Sequence, residues 1–160
     1  MRKSIMTVLM AIVLLTTAPV LAADITGMVA VITGSGRIVP GAKVNIYLVT
    51  KEFQLKPITE PIGSIGRDLD VFEAHSAAFH SFKNEVETNP TYVSAVTKTS
   101  LEGKFKMEHI KPGSYFLLVE GLERIAMNLV FWQIPVIVGE ASIYVEMSND
   151  NMALPPLFVR

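Results

Sequence analysis

The chain of 160 residues contains no cysteine. That absence excludes disulfide staples, thiolate zinc sites, thiol nucleophiles and a lipid-modified cysteine anchor. Histidine is scarce at three and tryptophan scarcer at one, and charged residues make up 18% of the chain. The formal net charge is −1, which argues against nucleic acid or an anionic membrane surface as the main partner, because both need a basic face. What remains is apolar, 50% of all residues. The length predicts one domain, or a targeting segment followed by one, with ample material for a core.

Residues 1–22 read as a secretory leader. Arg2 and Lys3 give a basic start, and Ile5 to Leu15 form an uncharged stretch of 11 residues. Pro19 breaks the run before the about 20 apolar residues that a spanning helix needs. Val20-Leu21-Ala22 then places modest or small side chains where cleavage is specified. Cleavage between Ala22 and Ala23 is the expectation, leaving a single domain over 23–160 with no membrane span of its own. Without Arg2 and Lys3, 12 basic residues face 15 acidic ones.

Beyond the leader, short β-type runs dominate, punctuated by glycine and proline. Ile25–Ile32 is predicted as a strand ended by Thr33-Gly34-Ser35-Gly36, and Val39-Pro40-Gly41 as a turn. Lys43–Val49 alternates in the manner of a half-buried strand. An insert over 50–90 then changes period. Asp70 and Glu73 suit a helix start, and Phe72, His75, Phe79, Phe82 and Val86 recur at spacings of three and four, which predicts one helix over Leu69–Glu87. Strands resume at Tyr92–Lys98, Lys104–His109, Ser114–Glu120, Met127–Val138 and Ser142–Met147, with the tail 148–160 expected as coil. Seven strands with regular turns indicate an all-β sandwich carrying one inserted helix.

Four blocks of the sequence carry a resemblance. Gly27-Met28-Val29, Val39-Pro40-Gly41-Ala42-Lys43-Val44-Asn45-Ile46-Tyr47, Thr99 with Gly103-Lys104-Phe105-Lys106-Met107, and Ile110-Lys111-Pro112-Gly113-Ser114-Tyr115 resemble the carboxypeptidase regulatory-like domain. That resemblance implies a seven-stranded, Greek-key, transthyretin-like (prealbumin-type) sandwich, with matching blocks at 25–49 and 92–148. Gly41 and Gly113 follow proline, where a type II turn takes a positive φ, and Gly103 suits the left-handed position closing a hairpin. Tyr115 can bury its ring while its hydroxyl meets a backbone group. These roles concern folding, so the resemblance transfers no catalytic residue. The zinc-binding His-x-x-Glu pair of metallocarboxypeptidases is missing, because Ala78, Lys83 and Pro112 follow His75, His80 and His109 by three. The Tyr-Arg-Gly-Ser type tail of transthyretin-related hydroxyisourate hydrolases is missing too, since this chain ends Leu157-Phe158-Val159-Arg160.

Other candidate sites read more simply as structure. His75 and His80 stand about 140° apart around a helix, so they cannot grip one metal from one face. Ser76 and Ser81 lack a nucleophile elbow. Asn149-Asp150-Asn151 lacks the long acidic loop of a calcium site and reads as a polar turn. Thr33-Gly34-Ser35-Gly36 has neither the lysine nor the helix of a phosphate loop. Alternation puts Trp132 with Val130, Ile134, Val136 and Val138 on the core side, away from a sugar-stacking role. No catalytic residue, metal ligand or cofactor fingerprint is legible.

Surplus hydrophobicity is more telling. Phe116 and Leu118 oppose the core side of their strand, as do Leu129, Phe131 and Ile137, whereas antiparallel sandwiches usually solvate their outer faces. Either the Phe72, Phe79 and Phe82 stripe of the helix covers these residues, or the stripe is a partner surface. The resulting expectation is an exported, non-catalytic module, periplasmic or extracellular. It would serve the cell envelope by contacting a protein or, alternatively, a carbohydrate or other small ligand.

Overall fold

The computed structural model describes residues 22–53, 77, 80–86, 88–119, 124–125, 128–153 and 157–158. Its strands are β1 (Ala23–Ile32), β2 (Ile38–Pro40), β3 (Asn45–Val49), β4 (Val93–Lys98), β5 (Lys104–Ile110), β6 (Gly113–Val119), β7 (Arg124–Ile125), β8 (Asn128–Leu129), β9 (Trp132–Val138), β10 (Ile143–Met147) and β11 (Leu157–Phe158). Helix α1 runs over 80–86. No helix among the described residues is long and apolar enough to cross a membrane.

Strand β1 organises the first sheet. Ile25, Val29 and Val31 are buried while Asp24, Thr26, Met28 and Ile32 look outward, the period-two alternation of a strand with one buried face. One flank of β1 pairs in parallel with β10, from Ile25↔Ile143 to Val29↔Met147. Its other flank pairs antiparallel with β5 up to Met28↔Lys104, and then with β2 through Ala30↔Pro40 and Ile32↔Ile38. The second sheet is antiparallel throughout, in the order β4–β3–β6–β9. Ile25, Val29, Phe105 and Met147 of the first sheet meet Ile46, Leu48, Leu117 and Trp132 of the second in one core. A small ladder β11–β8–β7 stands apart from both sheets.

The turns explain much of the sequence punctuation. Gly103 takes φ +78°, and a Cβ there would lie 2.3 Å from the Val29 carbonyl oxygen, so only glycine fits this hairpin. Gly41 and Gly113 do not take the left-handed φ expected of them; Lys43 does, at 61°. Their demand is for space: a Cβ on Gly41 would strike Val29, and one on Gly113 would crowd the Tyr115 ring. The Tyr115 hydroxyl donates to the Lys111 carbonyl at 3.0 Å, tying the strand back to the turn that precedes it. Thr99, the one buried polar residue among those described, accepts from Val44 N–H at 2.8 Å and donates to the Gly41 carbonyl at 2.6 Å.

Four expectations are corrected. Ile38–Pro40 forms a strand rather than a turn, because three residues suffice to pair with the end of β1. Tyr92 belongs to a 3-10 turn, Pro90–Tyr92, that leads into β4. The run Met127–Val138 is not one strand: Val130 and Phe131 separate β8 from β9, and the two side chains enter different apolar clusters. The tail is more ordered than coil, with a 3-10 turn at Asn149–Asn151 and a pairing of β11 with β8. Helix residues 80–86 fall within the expected Leu69–Glu87, and residue 88 is helical as well. Asp70 and Glu73 lie outside the described residues.

Candidate functional site

The two sheets present very different outer faces. On the second sheet, Tyr47, Leu118 and Gln133 share one row, and Val49, Phe116 and Pro135 the next. Phe82 of α1 drops into this surface and is 6% exposed, forming one cluster with Val49, Leu118 and Phe131. Its ring meets Phe53 edge-on at 5.7 Å and Tyr47 at 6.0 Å, the edge-to-face geometry that aromatic quadrupoles favour. The Gln133 side chain holds the Phe53 backbone at both its N–H and its carbonyl. Lys51 pairs with Glu85 and sits 5.3 Å above the Tyr92 ring, closing the margin of a small groove between α1 and the residues after β3. The bond to the Glu85 carboxylate holds the Lys51 ammonium above the ordinary lysine range.

Phe82 is therefore enclosed within the molecule, and Phe72 and Phe79 lie outside the described residues. The cover is incomplete, since Ile137 remains 79% exposed at the rim. Ala22 is exposed, and Ala23, directly after it, is buried at the first position of β1.

The outer face of the first sheet has no helix on it among the described residues. Pairing sets its outward residues in rows: Glu146–Met28–Lys104, then Tyr144–Thr26–Lys106, with Ala30–Pro40 and Ile32–Ile38 at the other end. Tyr144 is 64% exposed, and Ile32 and Ile38 are exposed beside each other. Lys106 bridges Asp24 at 3.0 Å and Glu108 at 2.7 Å. The bond from Lys106, then that from His109 N–H, hold the Asp24 carboxyl below its ordinary range. Glu108 and Asp24 in turn raise Lys106.

The remaining candidates are dispersed. His80 and Ser81 are exposed on α1 and His109 on β5, while His75 and Ser76 lie outside the described residues. Among the described residues no three His, Asp or Glu side chains converge as a metal set. Asn149 uses its amide oxygen to accept from Ile32 N–H at 2.7 Å and its amide N–H to reach the Ile32 carbonyl. Asn151 likewise accepts from Ser148 N–H and donates to the Glu146 carbonyl, so these oxygens hold backbone. Thr33 and Gly36 close the tip of the β1–β2 hairpin. Trp132 is fully buried, its indole N–H donating to the Ser148 carbonyl at 2.8 Å.

Sequence reasoning did not single out the Tyr144 face. The alternation of Ile143–Met147 carries the signal that Tyr144 and Glu146 point away from the core. Which sheet face stays open depends on where α1 lands, and that is a long-range contact.

No protein-family model matches the chain, and no curated protein matches it. Among solved structures, it is similar to a candidate carbohydrate binding protein from Pseudomonas aeruginosa at 17% identity and a TM-score of 0.48, covering 83% of this chain and 92% of that one. It is also similar to GBS52, the minor pilin of Streptococcus agalactiae, at 10% identity and a TM-score of 0.43, covering 81% of this chain and 44% of the pilin.

Proposed function

We propose that the chain is an exported, non-catalytic β-sandwich module that acts in the cell envelope by contacting another protein through the outer face of its first sheet. The observation that carries this reading is the asymmetry of the sandwich: α1 covers the middle of one outer face with Phe82, leaving Val96 and Ile137 exposed at its margins, and the other face presents Tyr144, Ile32 and Ile38 to solvent without a helix among the described residues. Exposed aromatics are favoured at contact surfaces because they combine large apolar area with few rotatable bonds. The reading takes residues 1–22 as a cleaved leader, delivering the domain to the periplasm or the medium; a strand that starts at Ala23 suits cleavage there. It also takes the seven longer strands, β1, β3, β4, β5, β6, β9 and β10, as a Greek key of the carboxypeptidase regulatory-like type, with β2 and the β7, β8 and β11 ladder as additions. The Gly103 turn and the Tyr115 hydroxyl bond to Lys111 support that assignment.

A second reading, carbohydrate binding, is favoured by Tyr144 alone. Its exposed ring stands beside the Thr26 hydroxyl, with Lys106 one strand further on, an apolar platform with hydrogen-bonding neighbours. Crosslinked affinity capture from an envelope extract tests both readings, using the full chain expressed with its leader and a Tyr144→Ser form as control. A protein recovered with the parent chain and lost with Tyr144→Ser supports the first reading. Recovery of glycan alone supports the second. Equal recovery by both forms overturns the role of this face.

A further inference from the structure

We infer that the outer face of the first sheet is self-complementary and that its occupant is a second copy of this chain, related by a two-fold axis running along β1. The inference rests on the protein-contact reading above and names the partner. In a two-fold contact of this kind, residues on the axis meet their own copies, and residues on one flank meet the opposite flank of the partner. A charged residue on the axis would therefore face its own charge. On the outward side of β1 from 26 to 32 stand Thr26, Met28, the buried Ala30 and Ile32, all uncharged. Beside Thr26 and Met28 the flanks carry opposite charge, Glu146 on β10 and Lys104 and Lys106 on β5; Glu108, further along β5, is already bonded to Lys106.

Register turns this pattern into specific contacts. Glu146 and Lys104 flank the same β1 residue, Met28, and neither makes a salt bridge among the described residues. They stand two strand spacings apart, about 10 Å, and do not pair with each other within one copy. Turning a second copy about β1 brings its Lys104 over Glu146, and its Glu146 over Lys104. The same turn sets Tyr144 against Lys106 of the other copy, because both flank Thr26; a cation over an exposed ring is favourable. Met28 and Ile32 meet their own copies in the middle. Asp24 is the one acidic outward residue of β1, and it stands at the strand's end, already neutralised by Lys106. The face measures about 30 Å by 15 Å, less than a standard specific interface, so the dimer is weak and concentration-dependent.

Sedimentation of the full chain, expressed with its leader and purified from the compartment it reaches, tests the assignment between about 1 and 500 µM. The expected result is a monomer–dimer equilibrium that high salt weakens. Glu146→Lys and Lys104→Glu should each weaken the dimer by about tenfold, and the double reversal should restore it. Met28→Lys, which places like charges on the axis, should abolish the dimer while circular dichroism shows the fold intact. A parent chain that stays monomeric throughout overturns the inference, as does a double reversal that fails to rescue. If the monomeric chain still captures an envelope protein through Tyr144, the self-contact alone falls. If it captures nothing, the protein-contact reading falls with it.

Discussion

The two outer faces of this sandwich begin from similar material and end differently. Both derive from alternating strands, but the second sheet points Tyr47, Phe116 and Leu118 outward, whereas the first points Thr26, Met28, Lys104 and Lys106 outward. The apolar face could not be left bare, and the insert between β3 and β4 supplies a helix whose Phe82 closes it. On the mixed-charge face Lys104 and Glu146 are exposed to solvent, and charge of this kind does not drive an insert to fold over it. The lesson is that the outward residues of a sheet determine whether an insertion must fold back onto it.

The largest test of this contrast is a pair of truncations. Phe82→Ala should cost about 3–5 kcal/mol, because it empties a site enclosed by Val49, Leu118 and Phe131. That corresponds to a fall in Tm of about 10 °C by calorimetry. Tyr144→Ala, on the open face, should change stability by no more than about 0.5 kcal/mol. Equal losses would mean that both faces are structural.

A smaller effect is expected between the faces, at Thr99. Thr99→Val leaves the buried Val44 N–H without its acceptor and should cost about 1–3 kcal/mol in urea unfolding, with an unchanged m-value.

The smallest effect concerns the open face and pH. Asp24 has its folded pKa below its unfolded value, mainly through Lys106. Its contribution is therefore complete above the unfolded value of about 3.9 and fades as pH falls through and below that value. The Tm difference between the parent and Asp24→Asn should narrow as pH drops below about 4; a constant difference would mean that the Lys106 contact does not hold in solution.

Much of the fold was legible because its determinants are local. Alternation in Lys43–Val49 and the Thr99–Gly103 turn each depend on a few neighbouring residues, and they identified strand and hairpin. The Tyr115 hydroxyl bond spans only four residues. What sequence could not reveal depends on contacts far apart in the chain. Ile38–Pro40 becomes a strand because Ile32 and Ala30 lie beside it. Val130 and Phe131 look continuous with β9, yet the Phe131 carbonyl accepts from Ala153 N–H and the strand pairing is interrupted there. The candidate surface followed the same rule: its residues could be sorted by side, but their exposure depends on the landing place of α1.

The parallel pairing of β1 with β10 has a mechanical consequence. The chain enters the sandwich at the foot of β1 and leaves it from the head of β10. Tension between the two ends first peels away the two-residue pairing of β11 with β8. It then pulls β1 and β10 along their length in opposite directions, loading the ladder from Ile25 to Val29 in shear. Its hydrogen bonds share the force together instead of opening one after another. A domain built this way resists a steady pull along its ends more than one whose terminal strands peel apart pair by pair.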